Sequence, residues 1–316
     1  MSAPAEWRPS LADFETAARR LAGVVRRTPL LDPAPMREVP AEGLLLKLEC
    51  LQVTGAFKAR GAVNAVASLD PGVMARGIVT ASGGNHGLGV AYAGWRAGVP
   101  TTVFLGTNTP AAKIDKLTHW GARVVVEGAG WDEANEAALA LAARENLAYV
   151  HPFADAAVIA GQGTLALEAL ADAPDLRTFV VPIGGGGLIS GVAAAAKLSR
   201  PGVRVVGVEP EGAPTLSASL AAGRLVTLPA IDTAANTLSP RRTEPVNLGC
   251  VREFVDQIVL VSDAEMTAAA RWLWFECALA AELAGAAATA ALIAGKVDAP
   301  GRVCAVVSGA GDAGLG

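Results

Sequence analysis

Nine short apolar runs recur along the chain, and this pattern restricts its fold more than any other feature. Most of them are β-branched and do not alternate with polar residues, which is typical of parallel strands buried on both faces. The runs are LLLKLE (44–49), GIVTA (77–81), TTVFL (101–105), RVVVE (123–127), LAYVH (147–151), TFVVPI (178–183), VRVVGV (203–208), QIVLV (257–261) and RVCAVV (302–307). Between most of them lie Ala-rich segments with helical spacing, such as 131–145, 155–171, 188–199 and 263–280. The alternation predicts a doubly wound α/β fold.

The composition limits the classes of protein to which this chain can belong. It has 316 residues, of which 52% are hydrophobic and 18% are charged, and its formal net charge is −4. Acidic residues outnumber Lys and Arg and no basic face is evident, which argues against nucleic-acid binding. No apolar run reaches the ~20 residues that a membrane helix needs. We therefore expect a globular protein that binds neither nucleic acid nor a membrane.

The N-terminus and the cysteines indicate the cell compartment. The first residues, MSAPAEWRPSLADFETAARR, carry acids and lack an apolar stretch, so we expect no secretory signal. Cys50, Cys250, Cys277 and Cys304 are far apart and lie in apolar company. Their spacing favours reduced core thiols in a cytoplasmic protein over a disulfide framework or a metal site.

Glycine-rich loops follow three of the predicted strands. SGGNHG (82–87) follows 77–81, GGGG (184–187) follows 178–183, and SGAG (308–311) follows 302–307. In sheets of this type, ligands bind beyond the carboxyl ends of the strands. We therefore expect the three loops to converge at one edge of the sheet. The longest irregular stretch, 232–249, is predicted to be a functional loop.

The loop Gly184–Gly187 lies between a predicted strand and a predicted helix. Bare amides at a helix N-terminus attract anions, and glycine lets a phosphate approach the backbone, so a phosphate site is favoured over a flexible turn. The loop is not a P-loop, because Val192 stands where that motif has lysine. Gly309, Gly311 and Gly314 fit GxGxxG, but no helix follows them in the sequence, so we expect no dinucleotide site there.

The loop SGGNHG offers donors for a carboxylate, and Lys58 offers an amine. Alternatively, Ser82 caps a helix, and His86 is a structural hydrogen-bonding residue rather than a base. Lys58 is predicted near a helix start at about Phe57, where the helix end and desolvation lower its pKa. Taken alone, such a lysine is usually a solvated surface charge. Together with two anion loops, it predicts pyridoxal phosphate linked to Lys58 and an amino-acid substrate.

The motifs that carry a family resemblance run nearly end to end. They are VVRRTPLL, KLECLQVTGAFKARGAVNA, ASGGNHG, HPFAD, AGQGTLALE, PIGGGGLISG, VEP and the final SG. With them the chain resembles the fold type II (tryptophan-synthase-β-like) pyridoxal phosphate enzymes of the threonine/serine dehydratase and serine racemase branch. The resemblance implies two open doubly wound domains with the cofactor in the cleft between them. Residues 1–68 and 152–316 would form the larger domain and 69–151 the smaller one, in a homodimer.

The resemblance also implies a role for each residue that matches the family's motifs. Lys58 would form the Schiff base and move the Cα proton, Phe57 would pack beside the cofactor, and Asn85 would bind its ring hydroxyl. Ser308 would face the pyridine nitrogen. The phosphate would be bound by Gly184, Gly185, Gly186, Gly187 and Leu188. The substrate would be held by Ser82, Gly83, Asn85, His86 and Glu282.

The implied reaction is elimination of the β-hydroxyl of L-threonine or L-serine, which yields a 2-oxo acid and ammonia. The neutral hydroxyl of Ser308 suits elimination, because it does not keep the ring nitrogen protonated. Asp312 lies nearby in sequence and is expected to be a solvated surface residue.

Several positions depart from the family pattern. Gly83 replaces the second acid–base serine of racemases. Glu209 and Ala213 match the family's cation site, but Thr215 replaces its acid, so no metal is expected. Gly311 and the segment AANTL (234–238) differ near the substrate side chain. The alternatives are therefore a dehydratase of another β-hydroxy amino acid (3-hydroxyaspartate or a phenylserine), a racemase, or a pseudoenzyme that binds pyridoxal phosphate or another phosphate ligand. A nucleotide-dependent oxidoreductase is disfavoured.

Overall fold

The computed structural model describes residues 7–34 and 36–315, and its strands form two separate sheets. The strands are β1 (Leu30–Leu31), β2 (Leu44–Lys47), β3 (Ile78–Ala81), β4 (Thr101–Leu105), β5 (Arg123–Val126), β6 (Ala148–Tyr149), β7 (Leu176–Pro182), β8 (Arg204–Pro210), β9 (Gln257–Val261) and β10 (Arg302–Val306). One sheet has six strands in the order β1-β2-β10-β7-β8-β9, and the other has four in the order β5-β4-β3-β6. Every pairing is parallel except that of β1 with β2.

The helices cover the faces of the two sheets. They are α1 (Leu11–Leu21), α2 (Lys58–Ala67), α3 (Pro71–Arg76), α4 (Asn85–Ala97), α5 (Ala111–His119), α6 (Trp131–Glu145), α7 (Ala156–Asp172), α8 (Gly187–Ser199), α9 (Thr215–Ala222), α10 (Pro245–Phe254), α11 (Asp263–Cys277) and α12 (Leu283–Ile293). Alternate residues of β7 enter opposite cores: Phe179 packs with residues of α7 and α8, and Val180 with residues of α11 and α12. The predicted doubly wound fold is confirmed, and all nine predicted strands are present.

Three predictions about local structure were wrong. The three glycine loops do not share one sheet edge, because β3 belongs to the four-stranded sheet whereas β7 and β10 belong to the six-stranded one. The stretch 232–249 is not all loop, since α10 begins at Pro245, a residue preorganised for a first helical turn. The helix predicted over 263–280 ends at Cys277, because Ala278 adopts a left-handed φ of 52°.

None of the helices in the described part of the chain is long and apolar enough to cross a membrane. The four cysteines are free thiols, and Cys50, Cys250 and Cys304 are buried.

Helix α2, which begins with Lys58, crosses α7 at two glycines. A Cβ added to Gly161 would lie 2.6 Å from the carbonyl oxygen of Arg60 and 2.7 Å from the Cα of Gly61. A side chain at either glycine would therefore force the two helix backbones apart. The crossing fixes the distance between α2 and the large sheet, and with it the depth of Lys58.

A cluster of buried charges holds the same helix from the side. The guanidinium of Arg60 is fully buried and donates to Glu49 Oε2 at 2.8 Å and to Glu168 Oε1 at 2.7 Å. Lys47, also fully buried, donates to Glu168 Oε2 at 2.6 Å. The cluster thus ties α2 to β2 and to α7 with two cations and two carboxylates.

We predict that Gly161→Ala destabilises the protein by ~1–3 kcal/mol, because the new methyl overlaps backbone atoms that cannot move without separating α2 from α7. Gly249→Ala in α10 is the matched control, since a Cβ there meets nothing within 4 Å. The control should gain up to ~1 kcal/mol from helix propensity. Urea unfolding of both variants measures the two free energies. An unchanged stability of Gly161→Ala would contradict the close crossing.

Candidate active site

Backbone pairing brings the segment before Lys58 against the glycine loop that follows β10. The amide of Phe57 donates to the carbonyl of Ser308 at 3.2 Å, and the amide of Ala310 donates to the carbonyl of Gly55 at 2.8 Å. Ala56 and Gly309 form an isolated antiparallel bridge. Because of this pairing, α2 begins at the carboxyl end of β10, with Lys58 beside Ser308.

The same glycine loop pairs on its other side with the segment before α12. The amide of Glu282 donates to the carbonyl of Gly309 at 3.2 Å, and the amide of Gly311 donates to that of Ala280 at 3.2 Å. A Cβ on Gly311 would lie 2.7 Å from the Cβ of Glu282, which accounts for glycine at that position. Residues 308–311 therefore join Lys58, Ser308 and Glu282 into one structural unit.

Lys58 is the first residue of α2, as the sequence predicted, and it is half-buried. Its Nζ donates to the carbonyl oxygen of Pro152 at 2.7 Å and lies 5.2 Å from the centre of the Phe57 ring. Burial lowers the pKa of Lys58 to about 8, although the charge of Glu282 opposes that shift. Near neutral pH this lysine is a free amine far more often than a solvated one, whose pKa is about 10.4.

Asn85 and Glu282 connect the two sheets. Asn85 begins α4 at the end of β3, and its Nδ2 donates to Glu282 Oε1 at 2.8 Å. The hydroxyl of Thr237 donates to the same oxygen at 3.2 Å. Burial raises the pKa of Glu282, although Thr237 and Asn85 oppose that shift by hydrogen bonding to the charged form. The carboxyl is therefore the point where the glycine loops of both sheets meet, and it makes no helix-capping hydrogen bond.

Gly184–Gly187 forms a turn against the side chain of Phe153. A Cβ on Gly187 would lie 2.8 Å from the Cα of Phe153, and a Cβ on Gly185 would overlap the Phe153 ring. Gly186 has a φ of 99°, a conformation that favours glycine. Helix α8 begins at Gly187, so the amides of Gly187 and Leu188 lie in its first turn and have no intrahelical acceptor. The result is a concave turn of bare amides that suits a phosphate.

The loop of residues 82–87 differs in detail from the expected arrangement. Helix α4 begins at Asn85 after the N-cap Gly84, and Ser82 Oγ accepts the amide of Gly84 at 3.2 Å, so Ser82 is not the N-cap. The His86 ring is buried, with Nε2 at 3.1 Å from Thr80 Oγ1 and 3.0 Å from the Val150 carbonyl. Burial lowers the pKa of His86 to about 3. Its side chain therefore bonds within the four-stranded sheet, and a substrate contact stays a prediction for its backbone amide.

The remaining predicted positions surround this centre. Ser308 is buried, and its Oγ donates to the carbonyl of Ala284 at 3.3 Å. Gly83 has little spare room, because a Cβ there would lie 3.2 Å from Thr109 Cγ2 and 3.3 Å from Leu105 Cδ2. Asp312 is exposed, as expected, but it also borders a cavity of about 230 Å³ next to Glu282.

The candidate cation ligand Glu209 has protein partners for both of its oxygens. Oε1 accepts the amide of Leu216 at 2.7 Å, and Oε2 accepts the amide and the hydroxyl of Ser217 at 2.9 and 2.6 Å. The carboxylate thus serves the first turn of α9, close to Ala213. Thr215, at the position of the family's acid, donates its hydroxyl to the Pro240 carbonyl at 2.7 Å. No group of three or more His, Cys, Asp or Glu side chains that could hold a metal occurs in residues 7–34 and 36–315.

Sequence reasoning missed four residues that shape the site. Phe153 forms the wall of the glycine turn, and Thr237 binds Glu282. Thr243 donates its hydroxyl to the Gly185 carbonyl at 2.9 Å, and Asn247 lies beside Gly186. The motif HPFAD contributes to the family resemblance, but nothing in the sequence indicates that its phenylalanine contacts the distant glycines. The other three lie in the stretch 232–249, for which the sequence predicts a functional loop and places only 234–238 near the substrate.

Comparison with known proteins agrees with this geometry. The family model "Pyridoxal-phosphate dependent enzyme" matches residues 21–309. The chain belongs to this family. It is 41% identical to the L-threonine ammonia-lyase of Thermotoga maritima, over 96% of this chain and 75% of that protein. It is 38% identical to the phenylserine dehydratase of Ralstonia pickettii, over 93% of this chain and 90% of that one. The structure of maize serine racemase superposes with a TM-score of 0.92 at 32% identity, covering 96% and 94% of the two chains.

The family and its solved structures confirm the fold type II class and the dependence on pyridoxal phosphate that the sequence predicted. The residues present fit this cofactor. The turn Gly184–Gly187 is a cradle that side chains would fill, and the nearby Lys58 has a pKa lowered to about 8. A cofactor with one phosphate and one aldehyde needs both of these features.

The pKa of Lys58 predicts how its covalent reaction with pyridoxal phosphate depends on pH. Only the neutral amine attacks an aldehyde, so the capture rate should rise with pH, with a midpoint at about pH 8. Glu282→Gln should move the midpoint to lower pH, because the Glu282 charge raises the pKa of Lys58. Stopped-flow absorbance of the cofactor-free protein mixed with pyridoxal phosphate measures both profiles. A midpoint near 10, the value for a solvated lysine, would contradict the geometry.

Proposed function

We propose that this protein is a pyridoxal-phosphate-dependent ammonia-lyase that removes the β-hydroxyl of L-threonine or L-serine and releases a 2-oxo acid and ammonia. The observation that carries the proposal is the placement of Lys58, an amine with a pKa of about 8, where the glycine loops of the two sheets meet. Support comes from the L-threonine ammonia-lyase relative, of which the chain covers 75%.

The cofactor, when bound, withdraws electrons from the substrate's Cα and so makes its proton acidic. Lys58 supplies the amine that takes this proton, and its lowered pKa makes the neutral form far more frequent near neutral pH than for a solvated lysine. The amides of Ser82, Gly83 and His86, at the start of α4, hold the substrate carboxylate. Asn85, itself oriented by Glu282, would bind the ring hydroxyl. Phe57 would pack beside the ring, and the amides of Gly184–Leu188 would hold the phosphate.

Ser308 favours elimination over reactions that need a stronger electron sink. Its Oγ donates to the Ala284 carbonyl, so it presents a neutral oxygen and no formal negative charge. Such a group does not keep a pyridine nitrogen protonated as an aspartate would. Departure of the β-hydroxyl relieves the negative charge at Cα without that protonation. Gly83 offers no hydroxyl on the face opposite Lys58, which limits proton transfer to one face.

We propose further that the larger domain spans 1–68 and 152–316, the smaller one 69–151, and that the protein acts as a homodimer in the cytoplasm. The domain division is supported by strand membership, since the four-stranded sheet contains strands between residues 78 and 149. The cytoplasm is supported by four free cysteines.

Lys58→Ala should abolish the visible absorption band of the holoenzyme that hydroxylamine removes, because that band needs the Lys58 amine. Release of keto acid and ammonia from L-threonine and L-serine should fall by at least ~10²-fold. Lys116→Ala, which changes an exposed lysine of α5, is the control and should retain both. A colourless wild-type protein would refute the cofactor assignment, and full turnover by Lys58→Ala would refute the role of the lysine.

A second candidate substrate class is favoured by the cavity next to Glu282. Its lining includes Ala234, Ala235, Ala284 and Ala313, and its volume of about 230 Å³ exceeds what a methyl or a hydrogen on Cβ requires. A dehydratase of a bulkier β-hydroxy amino acid, as the phenylserine dehydratase relative is named, would use that space. Narrowing of the cavity should discriminate: Ala284→Leu would lower kcat/KM for phenylserine more than for L-serine if the cavity holds the side chain.

Restoring a serine at position 83 tests the one-sided chemistry. Because a Cβ on Gly83 would lie 3.2 Å from Thr109 Cγ2, the variant should be Gly83→Ser combined with Thr109→Ser, which removes that methyl. We expect the double variant to gain conversion between L- and D-serine relative to its ammonia release, measured with a chiral separation. Thr109→Ser alone is the control and should remain a lyase. Efficient racemisation by the unmodified protein would contradict the lyase assignment.

A further inference from the structure

Asn247 lies behind the phosphate turn, on the first half of α10, and it is completely buried. Its Nδ2 donates to the carbonyl oxygen of Phe153 at 3.0 Å and to Ser190 Oγ at 3.3 Å. One amide group thus connects α10, the loop before α7 and the first turns of α8. The proposed mechanism assigns no role to the Asn247 side chain.

The other end of the amide is unsatisfied. Asn247 Oδ1 is buried and has no hydrogen-bond partner in the structure. Leaving a buried acceptor unpaired costs about 1–3 kcal/mol, and proteins retain few such groups. An apolar residue at this position would avoid that cost but would offer no donor. The fold therefore keeps Asn247 for its donor end, which has two acceptors.

Both acceptors belong to the walls of the phosphate turn. Phe153 packs against Gly185 and Gly187, so its backbone position fixes how deep the turn lies. Ser190 donates its amide to the Gly186 carbonyl at 2.9 Å and so ends the turn on the other side. Asn247 itself contacts the middle of the turn, since a Cβ on Gly186 would lie 3.0 Å from the Cβ of Asn247. One side chain thus contacts the turn and holds both of its walls.

We propose that Asn247 is a positioning residue of the phosphate cradle: it holds Phe153 and Ser190 so that the amides of Gly185–Leu188 converge on one phosphate group. This inference rests on the proposed use of pyridoxal phosphate. Donors fixed in advance bind an anion tightly because little ordering remains to be done on binding. Removing Asn247 should weaken binding of the phosphate group, and it should not change binding at the Lys58 end of the cofactor.

The test compares pyridoxal phosphate with pyridoxal, which has the aldehyde and lacks the phosphate. For Asn247→Ala we expect the dissociation constant of pyridoxal phosphate to rise about tenfold, while that of pyridoxal changes less than about twofold. Asn247→Leu, of similar size, removes the donor without opening a cavity, so its preference for pyridoxal phosphate should fall to a similar extent. Asn64→Ala is the matched control, since Asn64 is also a buried amide whose Nδ2 donates to a backbone carbonyl, that of Ala157 at 2.7 Å.

The control should lose thermal stability as Asn247→Ala does, yet keep the wild-type ratio of the two dissociation constants. If Asn247→Ala does not fold, Ser190→Ala breaks one of the two bonds and should lower the ratio to a smaller extent. A ratio that survives in both position-247 variants, or in Ser190→Ala where that variant replaces them, overturns this inference alone. A wild-type protein that does not prefer pyridoxal phosphate to pyridoxal overturns it together with the proposed function.

Discussion

The buried charge cluster of Arg60 anchors the helix on which the proposed chemistry depends. Removing one partner of such a cluster leaves an uncompensated charge in the core and costs ~3–5 kcal/mol, whereas a well-packed apolar replacement of the whole cluster is often neutral. The cluster therefore contributes less to net stability than to register. A guanidinium that donates to Glu49 on one side and Glu168 on the other accepts only one rotation and height of α2. Lys58 lies two residues earlier in α2, so the same contacts fix its position.

The close crossing of α2 and α7 also fixes the position of α2, but in a different direction from the ion pairs. Gly61 and Gly161 let the backbones touch, so α2 cannot approach the sheet further, and the ion pairs prevent it from rotating. The pairing of residues 55–57 with 308–310 fixes the remaining direction, along the strand β10. Three independent constraints thus converge on the few residues around Lys58, so that this lysine at the start of a helix is held in a precise position.

How far the sequence predicts this structure depends on how local the signal is. The strands and helices follow hydrophobic period and length, and α6 begins and ends at the predicted residues 131 and 145. The two-residue strand β1 is too short to show a period. The division into two sheets is not visible in any single segment, so three glycine loops were expected at one edge. The sequence PVNLGCVREF does not predict a helix, because Pro, Asn and Gly have weak helix propensity. It nevertheless forms α10, because the packing of Val246 and Val251 into the core outweighs that weak propensity.

The residues of the site also differ in how readily the sequence predicts them. Residues that act through their own chemistry, such as Lys58 and the four glycines, stand out because their type is unusual in its local context. Residues that act by packing or by holding a carbonyl, such as Phe153 and Asn247, look like ordinary core or loop residues until the fold brings them to the turn. Ser82 illustrates the converse error: its spacing fits a helix cap, but Gly84 takes that position and Ser82 accepts the Gly84 amide instead.

The charges of the centre come mostly from backbone. Three helices, α2, α4 and α8, begin at its edges, so their positive ends all face it. Anions at either end of a ligand are thereby attracted without a ring of Lys and Arg, whose formal charges would compete for the same groups. Burial, aided by the charge of Lys58, keeps the pKa values of His86 and His151 at about 3, so both rings stay neutral near pH 7. With the imidazoles held neutral and the anion sites built from amides, the group left for the proposed proton transfer at Cα is Lys58, the lysine whose pKa the same burial brings down to about 8.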